Sequence, residues 1–170
     1  MSHVMLDIET LGASAGSVVL SIGACKFTQA EIGKKFYQEI SIGSSLLHKF
    51  TIDPETVAWW RQQSKAAQVC LYGTIGIEGA LRDFAAFIGF DDYIWAKGPD
   101  FDCVILNEAY RKLNLKCPWR FRNTRDVRTI MYMSNVPPIE EGVEHLAIAD
   151  AIGQAKTVQA AYAKLGLTLE

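Results

Sequence analysis

The sequence contains no uninterrupted apolar run of about 18 residues, which argues against a membrane-spanning helix. Its first residues lack the basic segment and apolar core of a signal peptide, so a cytoplasmic protein with no membrane partner is expected. Cysteine is scarce and scattered. Cys25, Cys70, Cys103 and Cys117 include no C-x-x-C pair, which speaks against a zinc knuckle or a redox dithiol and for reduced, mostly buried thiols. A surplus of positive charge is missing too: the formal charge is -2, so nucleic acid is not coated through a broad basic face and any polyanion must be gripped locally. A Gly-rich phosphate loop, a G-x-S-x-G elbow and a Cys-His nucleophile pattern are all lacking, and no internal repeat or long linker divides the chain.

What is present is the make-up of one ordinary globular domain over residues 1–170, 49% hydrophobic and 21% charged, long enough to bury a core. The stretch Val4-Met5-Leu6-Asp7-Ile8-Glu9-Thr10-Leu11-Gly12 reads as a strand that breaks at Leu11-Gly12. Two further strands are expected over 17–27 and 35–41, joined by short connections, which makes an antiparallel meander. Asp53-Pro54 opens a helix to about Gln63, with Asp as cap and Pro at the first helical position. A helix over 77–88, a short buried strand over 93–96 and a helix over 101–113 follow, the last with Val104, Leu106, Ala109, Tyr110 and Leu113 as its apolar stripe. An extended piece around Pro118 to Phe121 precedes a helix over 126–133. The last helix runs from Ala147 to about Leu165, its buried side marked by Ile148, Ile152, Ala155, Val158, Tyr162 and Leu165. This order is α/β: a five-stranded mixed sheet, three antiparallel meander strands plus parallel strands, flanked by helices.

Side chains alternate across a strand, so Asp7 and Glu9 share one face while Val4, Leu6 and Ile8 share the other. Two carboxylates so close repel, and a fold tolerates them on a solvated face or beside a cation or shared proton. A lone D-x-E does not choose between these. Asp102, in Pro99-Asp100-Phe101-Asp102, stands at a helix opening, where capping explains one of the two aspartates but does not require both. Taken alone, His145 is read first as a half-buried histidine bonded to a carbonyl, and Asp150, off the apolar stripe, as an acid that simply faces water. Five residues of helix turn through roughly 500 degrees, so the two side chains would diverge by about 140 degrees if both were helical. They converge only if His145 precedes the helix and Asp150 sits in its first turn. Four carboxylates from three elements suit hard divalent cations, two Mg2+ or Mn2+ ions in one site, with a histidine as general base for water.

Asp7-Ile8-Glu9-Thr10, Phe101-Asp102 and His145 followed by Asp150-Ala151 resemble, in order and spacing, the three exonuclease motifs of the DEDDh superfamily, which includes ribonuclease T, oligoribonuclease and polymerase proofreading domains. Asp53-Pro54-Glu55-Thr56-Val57-Ala58-Trp59-Trp60, with Gln63-Ser64 and Arg125-Asp126-Val127-Arg128-Thr129, is similar to recurring segments of the phage and prophage-type 3'-5' exonucleases. The resemblance implies a ribonuclease H-like fold and removal of mononucleotides from the 3' ends of DNA or RNA, with single-stranded DNA favoured. It implies that Asp7, Glu9, Asp102 and Asp150 are the metal carboxylates, His145 is the general base, and Thr10 and Leu11 contact the terminal nucleotide. A homodimer is compatible with it. The alternative is a catalytically idle relative that binds nucleic-acid ends or a protein partner. Trp59-Trp60 offers base stacking or, as the favoured reading, a core or interface role. Arg61 and the Arg120-Arg128 cluster are either a solvated rim or phosphate contacts.

Overall fold

The apolar alternation of Val4, Leu6 and Ile8 builds the central strand of the sheet in the computed structural model, which describes residues 2–169. β1 (His3–Thr10), β2 (Val19–Phe27) and β3 (Ile32–Glu39) form the expected antiparallel meander, and β4 (Tyr93–Ala96) and β5 (Thr124–Asp126) add in parallel on the other side of β1. The strand order is β3-β2-β1-β4-β5, a five-stranded mixed sheet. The helices are α1 (Ile42–Leu47), α2 (Pro54–Trp60), α3 (Ile77–Phe87), α4 (Asp102–Lys112), α5 (Val127–Ser134) and α6 (Ala147–Leu165). Asp53 caps α2 as its sequence suggests, accepting from the Glu55 N–H at 3.0 Å. No helix among the described residues is long and apolar enough to cross a membrane.

The sheet separates two apolar clusters. Val4, Leu6 and Ile8 pack with Leu81 and Phe84 of α3 and with Leu106 and Tyr110 of α4, whereas Met5, Cys25, Phe27 and Trp95 pack with Val127 and Ile130 of α5 and with Ala151, Ala155 and Val158 of α6. The odd-numbered face of β1, with its two acids, therefore looks toward α6.

Several sequence expectations are corrected. The fifth strand lies at Thr124–Asp126 and not around Pro118 to Phe121, where the chain instead enters a 3-10 turn at Phe121–Asn123. Helix α1 and a 3-10 segment at Ala67–Tyr72 were not expected, because neither carries a long apolar period. Val104 is exposed while Ile105 faces the core. In α6 the buried face is small: Ala147, Ala151, Ala155, Val158 and Ala161 are fully buried, whereas Ile148 and Ile152 are only partly so. The expected stripe holds at Ala155 and Val158, with Ile152, Tyr162 and Leu165 packed at its margin, but its centre is shifted onto the alanines that lie close against the sheet. Gly23 on β2 is the reason for the closeness, since a Cβ there would collide with the main chain of Ala147 and Ile148. All four cysteines are free, three of them buried.

Candidate active site

β1 continues beyond its pairing with β4, which ends at Met5 opposite Trp95. From Leu6 onward its β4-side edge is open, at the carboxyl ends of two parallel strands where α/β folds place ligands. Asp102, the first residue of α4, fills that edge: its Oδ1 accepts from the Ile8 N–H at 3.1 Å. The helix N-terminus carries no side-chain cap, so Asp102 is not a capping residue. Asp7, facing α6, has its Oδ1 held by the Gln154 side-chain amide at 2.7 Å. His145 precedes α6 in a left-handed conformation with φ of 61°, sparsely populated outside glycine, and Asp150 occupies the helix's first turn. That is the arrangement under which a histidine and an acid five residues apart converge.

All five predicted residues line one cleft of about 280 Å3, together with Lys97, Phe101, Arg128, Glu144 and Gln154. Among the described residues, Glu9, His145 and Asp150 bring ligand atoms within 4.8 Å of one another. The His145 ring lies edge-on to Trp59, with centroids 4.8 Å apart, and its Nε2 is 3.6 Å from Glu144 Oε1.

A second recess of about 190 Å3 adjoins the cleft, sharing Ile8, Glu9 and Phe101 and adding Thr10, Gly12, Thr56 and Trp59. Thr10 lines this recess, whereas the Leu11 side chain is sealed in the core. Of the tryptophan pair, Trp60 is buried and donates to the Thr10 carbonyl at 2.8 Å, while Trp59 is 40% exposed on the recess wall. Core packing accounts for the first indole only.

Burial dominates the electrostatics. It pushes the Asp7 carboxyl well above the ordinary carboxylate range, with Asp102, Glu9 and Asp150 adding repulsion and the Gln154 amide opposing it. Glu9 is raised to about 8 by burial first and then by Asp150 and Asp102. Asp102 is raised to about 7 by burial, against the Ile8 N–H and the Arg128 guanidinium. Asp150 is also raised by burial, with the main-chain N–H and imidazole of His145 countering. Two buried and two half-buried acids with two basic side chains nearby are short of positive charge. The donor set, carboxylate oxygens with one imidazole nitrogen, fits a hard divalent cation.

Lys97 and Gln154 carry signals that sequence reasoning passed over. Lys97 follows the last residue of β4, at the ligand end of a strand-to-helix unit. Gln154 stands four residues after Asp150, hence on the same helical face.

Residues 2–162 match the model of a family described as the 3'-5' exoribonuclease Rv2179c-like domain. The chain belongs to this family. Among solved structures, E. coli exonuclease I in complex with a 5cy-dT13 oligonucleotide is 12% identical with a TM-score of 0.69, covering 97% of this chain and 41% of that one. The nuclease domain of 3'hExo, a DEDDh family member bound to rAMP, is 12% identical with a TM-score of 0.65, covering 99% and 94%. A 3'-exonuclease that recognises the histone mRNA stem-loop at its 3' end is 12% identical with a TM-score of 0.67, covering 99% and 84%. This exonuclease-family chain thus spans 41% of the exonuclease I chain and most of the length of the smaller nucleases. The likeness establishes the ribonuclease H-like fold of the DEDDh exonucleases. No curated protein sequence matches the chain.

Proposed function

We propose that the protein is a divalent-metal-dependent 3'-5' exonuclease that releases 5'-mononucleotides from single strands. The single observation that carries the reading is the convergence of Asp7, Glu9, Asp102, His145 and Asp150 on one cleft, from three separate parts of the chain. Asp7, Glu9, Asp102 and Asp150 would hold the metal. A bound pair of Mg2+ or Mn2+ ions would supply Lewis acidity toward the phosphodiester and a water nucleophile at neutral pH. His145 takes the proton of the attacking water at a ring nitrogen, and the edge-on Trp59 ring holds the imidazole over the cleft. Asp7 is kept in its orientation by Gln154, and Asp102 by the Ile8 N–H. Lys97 and Arg128 face the scissile phosphate, and the recess bounded by Thr10, Trp59 and Phe101 accepts the terminal nucleoside, with the Trp59 face available for a base.

The substrate we favour is RNA, because the family model is described as an exoribonuclease. A DNA reading rests on the exonuclease I neighbour solved with dT13, and on the segments that resemble phage and prophage-type enzymes. Matched single strands of RNA and DNA, labelled at the 5' end, should shorten stepwise with Mg2+ or Mn2+ and stay whole with chelator, with RNA shortening faster. Intact strands under every condition would leave an idle end-binding module in place of an enzyme.

A further inference from the structure

Five of the chain's seven arginines fall between residues 111 and 128, with Lys112 and Lys116, and Asp126 is the only acid in that stretch. In a chain of net charge -2 this is a strong asymmetry. Arg111 and Lys112 are engaged on α4 by Glu108 and the Lys49 carbonyl, while Lys116, Arg120, Arg122 and Arg128 line two open clefts at either end of β5. β5 is the outermost strand, paired only with β4 and parallel to it, so it points toward the acidic cleft. Arg122 precedes β5, Arg125 lies within it, and Arg128 follows it and lines the cleft. The three arginines thus follow one another from the turn through the edge strand into the first turn of α5.

The far end of the row opens into another groove, of about 460 Å3, whose walls include Phe90, Lys116, Trp119, Arg120, Phe121 and Arg122. Cations and rings alternate there. Lys116 and Arg120 sit 4.9 and 4.6 Å from the centre of Phe90, Arg122 lies 5.4 Å from Phe121, and Arg125 lies 4.4 Å from Tyr93. Phe121 is 80% exposed, which is not a packing position. Arg120 pairs with Asp91 at 2.9 Å, whereas Lys116, Arg122, Arg125 and Arg128 form no salt bridge among the described residues. A row of cations mostly free of salt bridges, beside the exposed rings of Phe90 and Phe121 and ending at the cleft, matches the chemistry of a single-stranded polyanion with stackable bases.

We infer that the β5 edge and the Phe90–Phe121 groove carry the upstream, 5'-ward part of the single strand whose 3' end lies in the acidic cleft. This rests on the exonuclease reading of the cleft. The phosphates run along Arg122, Arg125 and Arg128, and bases stack on the open face of Phe121. The track makes the enzyme length-sensitive: strands that reach the groove bind more tightly than those that fill only the cleft.

The test compares a dinucleotide with a strand of about ten nucleotides. Binding is measured by fluorescence anisotropy over a salt series, in chelator so that no cleavage occurs, and cleavage is measured separately with Mg2+. In the double variant Lys116→Glu with Arg122→Glu, the longer strand should bind roughly tenfold or more weakly, with a shallower dependence of log Kd on log salt. Phe121→Ala should weaken it several-fold with the salt slope unchanged. Dinucleotide cleavage should match the parent in both variants. Unchanged binding of the longer strand would overturn the track and assign the groove to another occupant, such as an acidic protein segment. Equal loss on both substrates would overturn it as well. If the parent cleaves neither substrate, yet the longer strand binds and the variants weaken it, the exonuclease reading falls and the track stands.

Discussion

On one side of β1, Val4, Leu6 and Ile8 are closed over by large side chains of α3 and α4; on the other, one residue away along the same strand, Asp7 and Glu9 face α6 across a cleft. The two faces are closed by opposite means. The apolar face is filled with bulk such as Phe84 and Tyr110, whereas the acidic face is approached by a helix whose contact residues are alanines and which sits beside Gly23. Small residues bring the helix main chain close, and with it Asp150 and Gln154, without filling the space before the acids. Packing on the first face lowers the free energy of the fold, and burial on the second raises the pKa of Asp7, Glu9, Asp102 and Asp150. Stability supplied by one side of a strand thus supports a charge arrangement that only a cation or a proton makes comfortable.

The largest expected effect divides the two faces outright. Asp102→Asn should lower turnover by roughly a thousandfold or more and weaken Mn2+ binding in calorimetry, with folding retained. His145→Ala should lower turnover by about a hundredfold or more and leave Mn2+ affinity close to that of the parent. Loss of Mn2+ affinity in His145→Ala equal to that in Asp102→Asn would make the histidine a ligand, a role open to it through its closeness to Glu9 and Asp150. On the opposite face, Leu6→Ala should cost about 2–5 kcal/mol in urea unfolding, with Mn2+ affinity kept.

Gly23→Ala probes the approach of α6. The added methyl forces the helix start off the sheet, at a cost of about 1–3 kcal/mol, and weakens Mn2+ binding because Asp150 moves with it. A stability loss with unaltered Mn2+ affinity would separate the helix contact from the site. The smallest effect concerns pH. Folding raises Glu9 from 4.5 to about 8 and Asp102 from 3.8 to about 7, so the folded protein holds more protons than the unfolded chain between those limits. That contribution to stability is fully present below the unfolded values and fades as pH rises through the folded ones. Without divalent cation, Tm should therefore fall by a few degrees between about pH 5 and 8, and Mg2+ should raise Tm more at the upper end than at the lower. A rise in Tm with pH in chelator would contradict the burial of these acids.

Much of the site was legible because it depends on local periodicity. A strand repeats every two residues, so Asp7 and Glu9 share a face whatever packs there, and a pair five residues apart must leave the helix at one end to meet, as His145 does. The recess was less legible: Trp59 and Trp60 diverge by local geometry, but which indole is buried depends on the Thr10 carbonyl reaching Trp60. The fifth strand was misplaced because three residues of edge strand carry no readable period, and the centre of the buried face of α6 was only partly legible because alanine stripes give little hydrophobic contrast.

The sequence by itself determined the order of the first four strands and of the longer helices, the shared face of the two opening acids and the residue types that suit a hard cation, since each follows from short-range geometry or side-chain chemistry. Only the tertiary structure decided that Asp102 docks on the open edge of β1, that Gln154 and Lys97 join the cleft, and that Arg122, Arg125 and Arg128 follow the sheet's edge strand β5 toward it. Those outcomes depend on how far one backbone can approach another, and that distance is set by contacts between residues far apart in the chain.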